Sequence, residues 1–217
     1  GVMSRLARVR PADVPRMVWR RVAPAVHYQR ELRIYSYDLA AAQALAAPAV
    51  MRRDHVPDIL AYRPQLASEA TVQEFLRHCL ERLEEGQHCY TRVEDGVLAH
   101  YGWLIDRQER SYMVEVGQVL LLPPDSAVLY NFYTRQSARG RGYYQAALRQ
   151  MVGDAARIPG TKQIWISVLA DNGASRHTIE KVGFTYRFSF FERRTLGRVS
   201  RWTTAPAAFV GAMAAPA

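Results

Sequence analysis

The stretch RQSARGRGYYQAAL, residues 135–148, places three arginines and two glycines directly before an apolar helical pattern. The first N–H groups of a helix have no partner inside the helix, and together with the helix dipole they attract anions. Gly140 and Gly142 would let a bulky anion approach the backbone closely. The stretch therefore predicts a phosphate-binding turn at the start of a helix. The alternative is an ordinary arginine-rich surface connection.

The segments around this turn predict alternating strands and helices. AVLYNFYT (127–134) is typical of a strand that leads into the turn, and QIWISVLA (163–170) is apolar on both faces, as in a buried strand. NGASRHTIEKVGF (172–184) predicts a short helix between Asn172 and Gly183, and YRFSFFERR (186–194) predicts a last strand. The helix after the glycines has one apolar face, formed by Tyr144, Ala147, Leu148, Met151, Val152 and Ala155.

The preceding part of the chain is less regular. Residues 31–39 predict a strand, residues 40–50 an alanine-rich helix or loop, and residues 112–122 another strand. CYTRVEDGVLAHYGWL (89–104) predicts a hairpin around Asp95-Gly96. Residues 71–86 predict an amphipathic helix that ends at Gly86. Its buried face is expected to contain Val72, Phe75, Leu76, Cys79, Leu80 and Leu83.

Composition and charge set limits on the function. The chain has 217 residues with 49% hydrophobic and 23% charged residues, typical of a soluble globular protein. It contains no long apolar window and no apolar leader at residues 1–10, so a cytoplasmic location without a membrane-spanning segment is expected. Two cysteines, Cys79 and Cys89, predict buried free thiols. The net charge of +9 favours an anionic partner without identifying it.

Two familiar nucleotide motifs do not fit the glycine stretch. It lacks the Gly-x-x-x-x-Gly-Lys-Ser/Thr pattern of a Walker loop, and it is not a Gly-x-Gly-x-x-Gly turn near the start of a parallel sheet.

Two motifs in this order resemble the Gcn5-related (GNAT) acyltransferases. The first is Arg139-Gly140-Arg141-Gly142-Tyr143-Tyr144, similar to the family's Arg/Gln-x-x-Gly-x-Gly/Ala signature. The second is Asn172-Gly173-Ala174-Ser175, followed by Glu180-Lys181-Val182-Gly183-Phe184. The resemblance covers about residues 87–194 and none of the first seventy. It implies a mixed α/β (α+β) fold with a mostly antiparallel central sheet, a splayed parallel strand pair and flanking helices.

The resemblance also implies acetyl-CoA or another acyl-CoA as co-substrate and no metal. The coenzyme would lie between strands 127–134 and 163–170, with its pyrophosphate on the amides of residues 139–144. The residues expected to bind it are Phe132, Tyr133, Thr134, Arg139, Gly140, Arg141, Gly142, Tyr143, Tyr144, Asn172 and Ser175. Asn172 and Ser175 have an alternative interpretation, as a helix cap and a small helix residue. The chain departs from the signature at Tyr144, where the family has Gly or Ala.

The resemblance leaves the catalytic residues open, because Ile179 stands where many members have a proton-donating tyrosine. Glu115 is the first candidate for a general base, on the expectation that it points inward from strand 112–122; an outward-facing Glu115 is the alternative. Tyr133 or Tyr186 is expected to replace the missing acid, and His100 and His177 are further candidates.

The acceptor and the domain limits are also expectations. Residues 1–205 are expected to form one domain, with an extension (1–70) that shapes one side of the acceptor site and a low-complexity, poorly ordered tail (206–217) on which Phe209 and Val210 could dock. The expected reaction is N-acylation of a small molecule such as a sugar or amino acid. The expected oligomeric state is a monomer or homodimer. Aromatic residues including Trp103 could line the acceptor cleft. Alternatives are transfer of long acyl chains from acyl carrier protein or acyl-CoA, and an inactive anion- or nucleic-acid-binding module, although nucleic acid is not expected.

Overall fold

The structure, a computed structural model, describes residues 27–40 and 49–212 of the chain. The strands in this part are β1 His27–Asp38, β2 Arg52–Arg53, β3 His88–Glu94, β4 Val97–Ile105, β5 Arg110–Met113, β6 Gln118–Leu121, β7 Ser126–Thr134, β8 Gln163–Leu169, β9 Thr185–Thr195, β10 Arg198–Thr203 and β11 Val210–Gly211. The α-helices are α1 Val56–Leu60, α2 Val72–Glu84, α3 Tyr143–Ala155 and α4 Gly173–Val182.

The strands form two sheets. The main sheet has eight strands in the order β10-β9-β1-β8-β7-β4-β3-β2, and a smaller sheet has the order β11-β6-β5. In the main sheet β7 and β8 are parallel, and the other neighbouring strands are antiparallel. The expected fold class is therefore confirmed: a mixed α/β structure with a mostly antiparallel sheet, one parallel pair and flanking helices.

The N-terminal strand β1 lies in the middle of the main sheet. It pairs with β8 from Leu32↔Leu169 to Asp38↔Gln163 and with β9 on its other edge. Ile34 and Tyr35 are fully buried there. Strand β1 thus places residues 27–38 of the expected extension inside the main sheet, hydrogen-bonded to both neighbouring strands.

The predicted hairpin and the predicted helix 71–86 are both present. Asp95 and Gly96 form the β3–β4 turn, with φ values of 49° and 73°. Helix α2 begins with a capping box in which the Thr71 and Glu74 side chains each accept from the other's backbone N–H. Phe75 and Cys79 of α2 are buried as predicted. Leu80 is 48% exposed, so its predicted place on the buried face is wrong.

Residues 112–122 do not form the single strand that the sequence predicts. They include the end of β5, a turn at residues 114–117, and β6, with Gly117 at a φ of 58°. A tight reversal at Gly117 converts the apolar run into a hairpin. Met113 and Leu120 pack with Trp165 and other side chains of the main sheet, so the small sheet covers one face of the large one.

The helices after β7 and β8 follow the sequence closely. On α3 the predicted apolar face is buried at Ala147, Leu148, Met151, Val152 and Ala155. On α4 the Asn172 side chain accepts from the Ser175 N–H, and Gly183 ends the helix with a φ of 113°. Both helices lie on the face of the main sheet opposite the small sheet.

The two predicted free thiols are confirmed. Cys79 and Cys89 are both buried and form no disulfide. Burial raises the pKa of the Cys79 thiol to about 11 and also raises the pKa of Cys89. Both side chains belong to the cluster that packs α1 and α2 on β3 and β4.

The expected poor order of the C-terminal tail does not hold for residues 203–212. Phe209 packs against Trp165 and Phe188, and Val210 pairs with Leu120. Residues 213–217 and most of the alanine-rich stretch, residues 41–48, lie outside the described residues. Within those residues, no helix combines the length and the apolar character needed to cross a membrane.

One buried histidine stands out in the main sheet. His100 of β4 is completely buried, and its Nδ1 lies 2.8 Å from the Thr134 Oγ1 of β7. Its Nε2 has no hydrogen-bond partner among the described residues. Burial lowers the pKa of His100 to about 4, so the ring is neutral at pH 7.

This burial predicts a pH-dependent stability. The unfolded chain takes up a proton at His100 below a pKa of about 6.5, whereas the folded chain does so only near pH 4. The contribution of His100 to the free energy of unfolding is therefore fully present above pH 6.5. It falls by about 3 kcal/mol as the pH drops towards 4. Urea unfolding at several pH values should show this loss in the wild type and a smaller one in His100→Gln. The exposed His78 of α2 gives the control, and a His78→Gln profile as shallow as that of His100→Gln would contradict the assignment.

Candidate functional site

The parallel strands β7 and β8 separate after four paired residues. Pairing runs from Ser126↔Gln163 to Leu129↔Ile166 and then stops, while β7 continues alongside β4. The β4–β7 register shifts between Tyr101↔Tyr133 and Trp103↔Tyr130, and Asn131 at this bulge has a φ of 51°. The edge of β7 beyond Leu129 consequently faces a gap and not a strand. Its backbone polar groups are available to a ligand.

A cavity of about 630 Å³ lies at one side of this gap, at the start of α3. We call it the helix-side cavity. Gly142, the residue before the helix, has a φ of 77°, and Gly140 has a φ of 78°; a Cβ at either position would meet no atom within 4 Å. No side chain caps the first turn of α3. The helix therefore presents free N–H groups at a turn with space in front of it.

This cavity brings together the residues that the sequence assigned to coenzyme binding, with the exception of Arg141. Those that line it are Phe132, Tyr133, Thr134, Arg139, Gly140, Gly142, Tyr143, Tyr144, Asn172 and Ser175. They come from the end of β7, the glycine turn, the start of α3 and the start of α4. The separated strands and the two helix starts thus converge on one opening.

The Arg141 side chain is held outside the cavity. Its Nη1 lies 2.7 Å from the Glu94 Oε2 at the end of β3, and the Tyr143 hydroxyl donates to the other oxygen of the same carboxylate. These contacts fasten the glycine turn to the β3–β4 hairpin. Of the two arginines in the turn, the Arg139 side chain lines the cavity.

A second cavity, of about 680 Å³, lies on the other side of the gap. We call it the turn-side cavity because one wall is the β5–β6 turn with Glu115; α2 contributes Arg82. From the expected N-terminal extension, Leu32 lines it. The two cavities share four lining residues, namely Phe132, Tyr144, Asn172 and Ser175. They therefore meet where β7 and β8 part.

Tyr144 occupies this junction. Its hydroxyl lies 3.0 Å from the Ser175 Oγ of α4, and its ring packs against Phe132 with 4.9 Å between centroids. Burial raises the pKa of Tyr144 to about 12, so the hydroxyl keeps its proton throughout the neutral range. The sequence placed Tyr144 among the coenzyme-binding residues and as a bulky departure from the signature, and the structure shows its half-buried hydroxyl at the junction.

The three predicted catalytic side chains are not assembled at one point. Glu115 lies in the turn between β5 and β6 and not on a strand; it is half-buried and lines the turn-side cavity. The Tyr133 hydroxyl donates to the Glu69 Oε1 at 3.1 Å, and burial with this bond raises its pKa to about 12. Tyr186 is 45% exposed, bonds to Ser189 and lines neither cavity.

The remaining candidates have other surroundings. Ile179 is fully buried in the core between the sheet and its helices, so that position supplies no proton. His100 lies beneath Thr134, and His177 is exposed on α4; neither lines either cavity.

Sequence reasoning missed Arg82 of α2. Arg82 follows Phe75 by seven residues and Cys79 by three, so it lies on the buried side of the helix. The sequence signal that could have identified Arg82 is its position as a charged residue on the apolar face of α2.

Comparison with known proteins identifies the family. A family profile described as "Acetyltransferase (GNAT) domain" matches residues 30–185, and no curated protein matches the sequence. A GNAT-family acetyltransferase from Colwellia psychrerythraea has a TM-score of 0.52 at 15% identity, covering 86% of this chain and 61% of that one. This likeness concerns the fold alone.

Two further solved structures are more distant. A functionally unknown conserved protein from Staphylococcus epidermidis has a TM-score of 0.49 at 8% identity, covering 82% of this chain and 65% of that one. The protein yncA from Salmonella typhimurium, solved with its cofactor acetyl-CoA, has a TM-score of 0.41 at 17% identity, covering 71% of this chain and 79% of that one. The chain thus spans less than two thirds of the Colwellia and Staphylococcus proteins.

The family match begins at residue 30, inside β1, and not near residue 87 as the motifs indicated. It covers most of the main sheet together with the separated strands and the glycine turn. The chain belongs to the GNAT acetyltransferase family.

Proposed function

We propose that this protein is an acetyl-CoA-dependent N-acetyltransferase that acts on a small-molecule amine. One observation carries the proposal: a cavity at an uncapped, glycine-preceded helix start adjoins a second cavity at the gap between the parallel strands. A long, thin co-substrate with a phosphate group at one end and a reactive group at the other fits this arrangement. The acceptor would then approach from the turn-side cavity.

The residues of the helix-side cavity suit coenzyme A. The free N–H groups at the start of α3 would hold the pyrophosphate, and the Arg139 guanidinium would add charge. The exposed edge of β7 at Phe132, Tyr133 and Thr134 would pair with the amides of the pantetheine arm, as an added strand would. Asn172 and Ser175 would contact the arm from the α4 side.

Glu115 is the proposed base. An amine reaches the enzyme mostly as an ammonium ion, and it must lose a proton before its nitrogen can attack. The Glu115 carboxylate lines the cavity from which the acceptor would approach and can accept that proton. The nitrogen then forms a bond to the thioester carbonyl carbon. Proximity supplies much of the rate, because both reactants lie at one junction.

Tyr144 is the proposed acid. When the carbon–sulfur bond breaks, sulfur leaves with the electron pair and needs one proton to become the free thiol. The Tyr144 hydroxyl lies at the junction of the two cavities, still protonated, beside the Ser175 Oγ. It would give its proton to sulfur and recover one that the amine nitrogen releases. The products are the N-acetylated amine and coenzyme A.

The direct test measures binding and turnover separately. Isothermal titration with acetyl-CoA, decanoyl-CoA and acyl carrier protein would establish the donor, and release of free thiol in the presence of primary amines would establish the transfer. We expect acetyl-CoA to bind and the thiol to appear only with an amine. Tight binding to random DNA without any thioester turnover would favour the inactive module instead.

We predict that Gly142→Ala weakens acetyl-CoA binding. A Cβ at a φ of 77° strains the turn, and loss of one amide–phosphate bond costs about tenfold in Kd. Gly197 in the β9–β10 turn has a φ of 78° and equally open surroundings, so Gly197→Ala carries the same strain elsewhere. Titration calorimetry should show the loss for Gly142→Ala alone. Equal Kd values for both variants would argue against a pyrophosphate site at α3.

We predict that Tyr144→Phe lowers kcat about 100-fold and leaves the KM for acetyl-CoA nearly unchanged, because it removes the proton donor and keeps the ring. Deprotonation of Tyr144 should not lower the wild-type rate between pH 8 and pH 10, because the pKa of Tyr144 is about 12. Tyr90→Phe is the matched control: it removes another tyrosine hydroxyl, which donates to Asp154 near the other end of α3. A full rate in Tyr144→Phe would rule out this acid.

A further inference from the structure

Arg82 places a positive charge in the wall of the turn-side cavity. It lies in the last turn of α2 and is half-buried. Its guanidinium carbon is 5.2 Å from the ring centroids of both Trp103 and Tyr130. Trp103 is fully buried, and the Tyr130 hydroxyl donates to the Gln87 side chain, so both rings are fixed. The guanidinium therefore has a defined position.

Among the described residues, no carboxylate balances the charge of Arg82. No ion pair forms at Arg82 within residues 27–40 and 49–212, whereas Arg52, Arg141 and Arg201 each pair with an acidic side chain. A cation above aromatic rings uses its charge in the contact and none of its N–H donors. A half-buried guanidinium with free donors is a binding site for an oxyanion, to which it can make two parallel bonds.

The turn-side cavity contains one other charged side chain among the described residues that line it, the Glu115 carboxylate. Arg82 comes from α2 and Glu115 from the β5–β6 turn, so the two opposite charges belong to different elements of the cavity wall. A ligand with one anionic and one cationic group matches this pair.

We propose that the acceptor is an amine that also carries a carboxylate, of the α-amino acid class, with its carboxylate on Arg82 and its ammonium group facing Glu115. This inference rests on the proposed function, because the same Glu115 would accept the proton of that ammonium group. It narrows the acceptor to a class and assigns its specificity to a residue outside the coenzyme site.

Two other acceptor classes fit less well. An amino sugar without an acidic group gives the Arg82 guanidinium no anionic partner. A phosphate monoester carries up to two negative charges, and one guanidinium in a cavity that also holds a carboxylate does not balance them. The single negative charge of a carboxylate balances the single positive charge of the Arg82 guanidinium.

The first experiment compares matched acceptors with the wild-type protein. L-phenylalanine and L-phenylalaninamide, and likewise L-leucine and L-leucinamide, differ in the carboxylate and keep the amine. With acetyl-CoA present, we expect kcat/KM to be about 10- to 100-fold higher for the acids. Equal or faster acetylation of the amides, or acetylation of glucosamine alone, would overturn the inference while leaving the proposed function intact.

The second experiment removes the charge. Arg82→Gln should lower kcat/KM for the acids about 10- to 100-fold and change that for the amides less than about twofold. Arg77→Gln is the control, since Arg77 is on the same helix, exposed, and paired with Glu81. An equal loss for acids and amides would mean that Arg82 supports the fold alone.

A binding measurement separates this inference from the proposed function. Titration calorimetry with L-phenylalanine and N-acetyl-L-phenylalanine, without coenzyme, should show binding to the wild type and to Arg77→Gln, and at least tenfold weaker binding to Arg82→Gln. We expect Arg82→Gln to bind acetyl-CoA as the wild type does, because Arg82 does not line the helix-side cavity, so this titration reports on the coenzyme site independently. If acetyl-CoA binds and no amino acid does, the acceptor inference fails; if the amino acids bind Arg82 and acetyl-CoA does not bind, the proposed function fails.

Discussion

The early separation of β7 from β8 is the constraint on which the site depends. Four residue pairs hold the strands together, and beyond Leu129 the two backbones diverge. Backbone polar groups inside a protein must find partners, so an interrupted ladder in the middle of a sheet is tolerated where water or a ligand completes it. Both cavities, the start of α3 and the Tyr144–Ser175 contact lie at this divergence.

The topology explains how the gap stays open. On one side, β7 keeps its position through β4, and the bulge at Asn131 turns Phe132 towards α3. On the other, β8 is held by β1 along seven residue pairs. Because β1 comes from the beginning of the described chain, this half of the sheet forms through contacts between residues more than 120 positions apart. Such long-range pairing is slow to form in folding and depends on β1 arriving between β8 and β9.

The sequence predicted what local rules control. The Asp95-Gly96 hairpin, the Asn172 cap, the Gly183 end and the apolar face of α3 all depend on residues a few positions apart. The position of β1 in the main sheet depends on β8 and β9, which are far away in the chain. Neither composition nor periodicity predicts such a pairing. On α2, Leu80 is exposed and Arg82 is half-buried, because Trp103 and Tyr130, distant in sequence, give the Arg82 guanidinium an aromatic surface. The sequence did not predict the contact of the Tyr144 hydroxyl with Ser175, because Ser175 lies on another helix.

The burial of Cys79 and Cys89 makes both thiols slow to react with thiol reagents. A thiol reacts as its thiolate, and with a pKa of about 11 only about one Cys79 in a thousand is ionised at pH 8. Cys89 is enclosed in the same cluster, and the chain has no other cysteine. An Ellman-type disulfide reagent would therefore find almost nothing to react with on the folded protein. In an assay with this reagent, colour would come from the thiol of coenzyme A released by turnover. A slow increase in colour without substrates would indicate unfolding of the protein.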